Sequence, residues 1–410
     1  MSAPSAAPRR LTSLDTFRGL TVAAMILVNN PASWAAIWPP LSHATWHGCT
    51  PTDLIFPFFL FIVGVSMAMS RHAEQLAIEQ GRRSQSSAAT VWLGILKRGG
   101  TLIALGLLLN WFGIWDPSRV RIPGVLQRIG LCYILASALV QLWPRAWQWG
   151  VPVLLTLHAC LLALLTAPLA DPSWPASISP DSNLQKLVDD AVFSRAHLYS
   201  QPTDPEGLLG TLSATATVLL GFGFARFVTD DAQPHRRLMG IGCISALLGY
   251  VAAGLPSPAD WFTNSPTWAM PLNKPLWTPS YVLFTAGLAA AALGLLYWLM
   301  DAASPSRFAR PASVLLRLPL EAGRVAGRNA ILVFVGSGLL ARLIAKIPAP
   351  VAAVPGSAPP PANIRAWIFE SFLAPAFGPV GGSHVWALVN VCLWLAIAFA
   401  LDRRRIYWRV

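Results

Sequence analysis

The sequence predicts an all-α integral membrane protein, a bundle of about ten transmembrane helices with both termini cytoplasmic. Three observations lead there. Mean hydropathy is +0.52, with 12% of the 410 residues charged and 54% hydrophobic, a balance outside the range of soluble domains. Ten stretches approach the roughly 20 apolar residues needed to cross a hydrocarbon core about 30 Å thick. They are residues 14–35, 52–70, 90–113, 122–143, 148–168, 207–228, 237–255, 277–300, 328–346 and 382–401. Lys and Arg also divide unevenly between the alternating loops, 21 on the side of the N-terminus against 6 on the other. The positive-inside rule makes the richer side cytoplasmic. The net charge of +12 is therefore topological, and no nucleic-acid partner is expected.

In chain order, a short cytoplasmic tail of residues 1–12 leads into the first span, and a cleaved signal peptide is not expected. That span carries Asp15 and Arg18, spaced i, i+3 on one face, and closes on Asn29 and Asn30. The second follows the polar run His43-Ala-Thr-Trp-His-Gly-Cys-Thr-Pro-Thr-Asp53. Lys97 and Arg98 sit in the third span. Pro123 opens the fourth, which holds Gln127 and Arg128, and His158 lies mid-span in the fifth. The outward stretch Ser173 to Pro205 reads as an irregular cap and ends near Asp204 and Glu206. The sixth and seventh spans lead to Pro271-Leu-Asn-Lys-Pro-Leu-Trp277, which carries Asn273 and Lys274 before the eighth. Arg328 and Asn329 open the ninth. A Pro/Ala-rich stretch, Pro348 to Pro361, and a segment with interfacial character, Ile364 to Phe377, precede the tenth. No soluble domain interrupts this order, so residues 1–410 form one polytopic membrane domain. Nor do internal repeats of the kind common in secondary transporters.

Ionisable side chains are costly within a membrane and mark sites by default. The outward ends of several spans gather them: Asn29 and Asn30, His43, His47 and Asp53, Gln127 and Arg128, Asp204 and Glu206, Asn273 and Lys274. Imidazole is the side chain suited to carrying protons near neutral pH. His43 needs a partner to fix its tautomer, and Asp53, ten residues on, can serve if the loop folds back over the start of the second span. A plain interfacial histidine is the competing reading. Arg128, roughly 7 to 8 Å into its helix at 1.5 Å per residue, can snorkel to the surface or pair with a carboxylate or phosphate in a pocket. At the inward ends, Arg18, Arg98, Arg328 and Asn329 can meet phosphates, although anchoring explains the arginines equally well. The five cysteines are scattered, so neither a disulfide framework nor a metal site is expected.

Four motifs in order, Ser13-Leu-Asp-Thr-Phe-Arg-Gly-Leu20, His43 to Gly64, Pro123-Gly-Val-Leu-Gln-Arg-Ile-Gly130 and Asn273-Lys-Pro-Leu-Trp277, resemble the heparan-alpha-glucosaminide N-acetyltransferase family of transmembrane acyltransferases. The resemblance begins near residue 11 and has no counterpart for the large N-terminal luminal portion of the lysosomal members. It implies an acetyl-CoA donor on the cytoplasmic side and a glucosamine amine as acceptor across the membrane. It also implies His43 as the catalytic histidine, Asp53 as its acidic neighbour, Asn29 close by, and a homodimer. His47 stands where the lysosomal enzyme carries Asn. Asn30, His47, Gln127, Arg128, Glu206, Asn273, Lys274, Arg18 and Asn329 complete the candidate substrate- and cofactor-binding residues.

The expected function is transfer of acetyl from acetyl-CoA to an extracytoplasmic amino sugar or glycan, in a bacterial-type inner membrane. His43 acts either as general base or as acetyl carrier. The rivals are a proton-coupled transporter or flippase of a sugar-related solute, and an O-acyltransferase of a surface polysaccharide.

Overall fold

The computed structural model describes residues 11–166, 178–231, 233–256, 270–302, 316–351 and 361–408. Those residues form helices and connecting turns, with no strand among them. The helices are α1 Thr12–Asn29, α2 Ile55–Glu79, α3 Ala88–Trp111, α4 Val125–Leu142, α5 Ala146–Thr166, α6 Leu184–Phe193 and α7 Gly210–Asp230. They continue with α8 Pro234–Ala252, α9 Pro279–Met300, α10 Arg317–Arg328, α11 Ala330–Ile344, α12 Ile364–Ile368 and α13 Ala374–Arg403.

Each of the ten expected spans contains a helix among its described residues. Length and composition qualify seven helices to cross a membrane, or eight when the pair α10–α11 counts as one bent span. The expected count of ten is thus not reproduced by this criterion. Helix α1 spends Asp15, Arg18 and Asn29 within 18 residues, and α8 opens on Pro234-His-Arg-Arg237, so the apolar content of both is diluted. Helix α8 nevertheless exposes Met239, Ile241, Ile244, Leu247, Leu248 and Val251, a face suited to lipid.

Tyr281, Val282, Ala286, Ala289 and Ala290 of α9 are fully buried, and α7 is buried along most of its length, with Ala214, Ala216, Val218, Leu219 and Ala225 fully covered. Two contacts around it require glycine for space. A Cβ on Gly64 of α2 would come within 1.9 Å of the Val218 carbonyl oxygen of α7, and one on Gly221 within 2.1 Å of the Phe61 carbonyl oxygen. Between membrane helices, where apolar burial supplies little drive, such close backbone packing carries the association.

The outward cap is more ordered than its sequence predicts, because α6 occupies its middle. Asn183 starts that helix by accepting from the Lys186 N–H at 2.9 Å. Gln185, fully buried, donates to the carbonyls of Asp204 and Pro275 at 2.8 Å each and accepts from the Gly210 N–H at 2.9 Å. The segment expected to lie along the interface is helical, but it runs through a wide π-type turn, Phe369–Leu373, into α13. It breaks at Gly378, whose φ is 73°. Most of the Pro/Ala-rich stretch before it, residues 352–360, lies outside the described residues. Helices α10 and α11 meet at 87° around Asn329, so the ninth expected span is one arm of a bent pair.

Candidate active site

The site begins with a helix start. Thr50-Pro-Thr-Asp53 forms a reciprocal cap, with Pro51 in the first position of the turn that leads into α2. Asp53 Oδ2 accepts from the Thr50 N–H and hydroxyl at 3.1 Å each and from the Ala44 N–H at 3.0 Å. The Thr50 hydroxyl also lies 2.7 Å from the Ser42 carbonyl, which closes the loop 42–50 on itself. Gly48, with φ at 116°, makes the turn that side chains resist, and its N–H reaches the Leu272 carbonyl at 2.8 Å. This fold-back carries His43 over the start of α2.

His43 Nδ1 lies 2.7 Å from Asp53 Oδ1. Lys274 Nζ lies 3.1 Å from the same nitrogen and 3.4 Å from the same oxygen. One nitrogen cannot both donate to the carboxylate and accept from the ammonium. The network therefore assigns the proton to Nδ1, which donates to Asp53, and Nε2 carries the lone pair. The Asp53 side chain is 1% exposed and that of His43 50%, so the carboxylate is fixed inside while the imidazole meets a cavity. Cys49, next to this pair, is no competing nucleophile. Burial, with Asp53 nearby, pushes its thiol well above the ordinary range.

That cavity has a volume of about 500 Å³ and is lined by His43, Asp53, Asn29, Lys274, Arg121, Tyr199 and Glu206 among others. Arg121 bridges the cap: its Nε and Nη2 reach Asp204 at 3.0 and 2.5 Å, and Nη2 reaches Glu206 Oε2 at 2.5 Å. Burial alone would lower the Arg121 pKa, but Glu206 and Asp204 outweigh it and raise it. Burial would raise Asp204 in turn, and its bonds from Arg121 hold it below the usual carboxylate range.

A second cavity of about 610 Å³ lies at the other end of α1, lined by Asp15, Arg18, Ser66, Arg98, Tyr133, Arg328, Ala330 and Trp408 among others. Arg18 reaches Ser66 Oγ at 2.7 Å and Asp15 at 3.1 Å, and Arg328 reaches Asp402 at 2.8 Å. The N-terminus of α11 at Ala330 adds its dipole to this basic wall. The two cavities share α1, α2 and α4. Their linings are separated by one turn of α2, from Phe56 to Phe59, one turn of α4, from Val125 to Ile129, and two turns of α1, from Arg18 to Met25. Val22, Ile26, Phe56, Phe59, Leu126 and Ile129 fill the interval as part of one buried apolar cluster.

The remaining sequence candidates line neither of these cavities. Asn30 bonds the Ile26 carbonyl of its own helix at 2.8 Å, and Gln127 bonds the Ile122 carbonyl at 3.0 Å. Asn273 holds the Trp46 carbonyl at 3.1 Å and accepts from the Leu276 N–H at 2.8 Å, which fixes the turn that presents Lys274. His47 is buried 3.3 Å from Asn273, and burial lowers its pKa to about 4, so it is neutral at physiological pH. Arg128, 1% exposed, donates to the carbonyls of Pro205 and Gly207 at 2.9 and 2.5 Å and packs over Trp277. It does not snorkel, and among the described residues it forms no ion pair. Asn329 accepts from the Trp408 N–H at 2.9 Å and donates to the Ile406 carbonyl at 3.0 Å, stapling the C-terminal segment to the α10–α11 bend. Sequence reasoning passed over Arg121 and Tyr199. The arginine stands two residues before the Pro123 to Gly130 motif, and its charge on the outward side was the available signal.

Residues 10–189, which include His43, Asp53 and Arg121, match the sequence profile of the heparan-alpha-glucosaminide N-acetyltransferase catalytic region. The human heparan-alpha-glucosaminide N-acetyltransferase is 25% identical over an alignment covering 99% of this chain and 61% of its own length. The mouse protein of the same name is 25% identical over 98% and 60%. The chain thus spans about three fifths of the length of these relatives. It is similar to the heparan-alpha-glucosaminide N-acetyltransferases over residues 10–189, which carry His43, Asp53 and Arg121, and at 25% identity along nearly its whole length.

Proposed function

We propose that this chain is a transmembrane acetyltransferase that moves acetyl from acetyl-CoA on the cytoplasmic side to the amine of an amino sugar or glycan on the other. The observation that carries the reading is His43, held by Asp53 on the wall of one cavity with Lys274 against the same carboxylate, and an arginine-lined cavity further along the same helices. The basic cavity suits the anionic head of coenzyme A: Arg18, Arg98 and Arg328 offer charge, and Tyr133 and Trp408 offer aromatic faces. The narrow pantetheine arm then reaches between α1, α2 and α4 toward His43.

In the reaction the acceptor nitrogen attacks the thioester carbonyl, the N–C bond forms and the C–S bond breaks. His43 Nε2 takes the amine proton, which ends on the departing sulfur as the thiol. Asp53 holds the imidazole in the required tautomer and stabilises its cation. Lys274 is placed to stabilise negative charge developing on the carbonyl oxygen, a contribution on the order of 3 to 4 kcal/mol for such donors. An acetyl-histidine route, with Nε2 as the nucleophile, uses the same geometry.

The proposal includes ten spans, with α1 and α8 crossing alongside the helices that qualify by composition, both termini cytoplasmic, a bacterial-type inner membrane and a homodimer. Oriented proteoliposomes test it, with radiolabelled acetyl-CoA on the basic-loop side and glucosamine on the other. Acetylated sugar across the membrane with wild type and none with His43→Ala is the expected result. Neither product nor coenzyme A release from folded wild-type protein across a wide acceptor panel would overturn the reading in favour of transport.

A further inference from the structure

Helix α13 ends at Arg403 in a Schellman arrangement: the Arg405 N–H returns to the Asp402 carbonyl and the Ile406 N–H to the Leu401 carbonyl, each at 3.0 Å. Arg405 holds the left-handed position of that stop, with φ at 59°, where glycine is the usual residue. The chain is thereby turned back against the bend between α10 and α11, where the fully buried Asn329 takes hold of it. The Asn329 amide accepts from the Trp408 N–H at 2.9 Å and donates to the Ile406 carbonyl at 3.0 Å, as a neighbouring strand would. Tyr407, between them, is spent on the protein: its hydroxyl donates to Asp402 Oδ1 at 2.9 Å and accepts from Arg328 at 3.4 Å. Trp408 is left to line the basic cavity.

The two aromatic residues of that cavity are not equivalent. The Arg98 guanidinium carbon lies 5.6 Å from the centre of the Tyr133 ring, so one face of Tyr133 is already covered by a cation. Trp408 packs on no ring and under no cation among the described residues, and it stays exposed. A tryptophan that only anchors in the bilayer interface needs no buried asparagine to hold its backbone. Because that backbone is already ordered, little freedom remains to be lost when a flat ligand lies on the indole. Arginines answer to any phosphate, whereas a heteroaromatic base is recognised through its face, by stacking.

We propose that Trp408 is the specificity residue of the donor site, stacking on the purine base of coenzyme A, and that Asn329 is the positioning residue that presents it. This rests on the acetyltransferase reading for the identity of the ligand. Arg18, Arg98 and Arg328 supply charge for the phosphates, and the indole makes the cavity answer to the nucleotide.

Equilibrium binding to the full chain in detergent tests the proposal without turnover, using coenzyme A and 4′-phosphopantetheine, which keeps a phosphate and the arm but lacks the nucleotide. Trp408→Ala is expected to weaken coenzyme A by about fivefold or more and to leave 4′-phosphopantetheine within about twofold. Trp408→Phe, which keeps a ring, should retain most of the affinity for both. Asn329→Ala should weaken coenzyme A with the same selectivity, and the double variant should bind no worse than the weaker single one, because both act through one contact. Equal loss for both ligands in Asn329→Ala marks a purely structural role and overturns the positioning half. The Trp408 variants decide the stack by themselves if Asn329→Ala does not fold. Unchanged coenzyme A affinity in Trp408→Ala overturns the whole and leaves Trp408 as a bilayer anchor, and wild type that binds neither ligand overturns it together with the reading it rests on. A parallel transfer assay separates the two. Selective loss in Trp408→Ala without acetyl transfer by wild type sinks the acetyltransferase reading and leaves the stack standing. Transfer by wild type with unchanged binding in Trp408→Ala does the reverse.

Discussion

Asp53 holds five groups with two oxygens: the Ala44 and Thr50 N–H groups, the Thr50 hydroxyl, His43 and Lys274. It is both a helix cap and the orienting partner of the histidine, so its removal should cost fold and function together. Asp53→Asn puts an NH2 where one oxygen now meets donors, and should lower kcat about 10² to 10⁴-fold together with Tm. His43→Ala touches one member of the network and should lower transfer by about 10² to 10⁴-fold at nearly unchanged Tm, read from turnover and thermal melts on the same preparation. Arg128→Ala strands the Pro205 carbonyl and leaves that of Gly207 only the Thr211 hydroxyl at 3.4 Å, and a carbonyl left buried and unpaired costs roughly 1 to 3 kcal/mol. Its melting temperature should therefore fall more than that of His43→Ala. The His43–Asp53 pair was legible because both lie in one segment whose Thr-Pro-Thr-Asp start announces a cap. The roles of Asn30, Gln127, Arg128, Asn273 and Asn329 were not. A polar side chain that lines a cavity and one that satisfies a buried carbonyl obey the same penalty for unpaired groups, and sequence does not separate them.

At the scale of elements, α6 shows what a buried acid does to a cap. Asp189 is fully buried, its Oδ1 accepts from the Leu208 N–H at 2.7 Å, and its Oδ2 has no partner. Burial raises its pKa to about 7, with the nearby Asp204 and Asp190 adding to the rise against Leu208 and Arg128. The folded chain thus binds this proton more tightly than the unfolded chain, whose carboxyl titrates near 3.9. The stability it contributes is present below that unfolded value and is lost as pH rises through about 7. Asp189→Asn, permanently neutral, should come closest to wild type in Tm near pH 4 and exceed it by a margin that grows up to about pH 7 and then stays level. Packing is equally exacting between α2 and α7, where Gly64→Val must displace backbone, with an expected loss of about 1 to 3 kcal/mol or more by denaturant titration. The long helices were legible from hydropathy alone, since the bilayer sets their length. Helix α6 and the 87° bend at Asn329 were not. The former is short and amphipathic, and Arg328-Asn329 reads as an ordinary anchored helix start unless its tertiary partners, Asp402 and Trp408, are known.

For the molecule as a whole, apolar content predicted a helical membrane bundle, but the two cavities emerge only from the way α1, α2 and α4 converge. Hydropathy counts residues and carries no record of which faces leave space. The layer between the cavities, with Phe56, Phe59 and Leu126 in the same buried cluster as Val22 and Ile26, has a consequence for the cell in which the chain resides. Facing aqueous vestibules that met inside a membrane would carry protons, with a histidine already in place as a stepping stone. An apolar layer about one to two helical turns thick offers water no hydrogen-bonding partner and interrupts any proton wire. In the proposed orientation, many copies of the chain can occupy an energised membrane without short-circuiting its electrochemical gradient, a property that proton-flux measurements on sealed vesicles would register as no added leak.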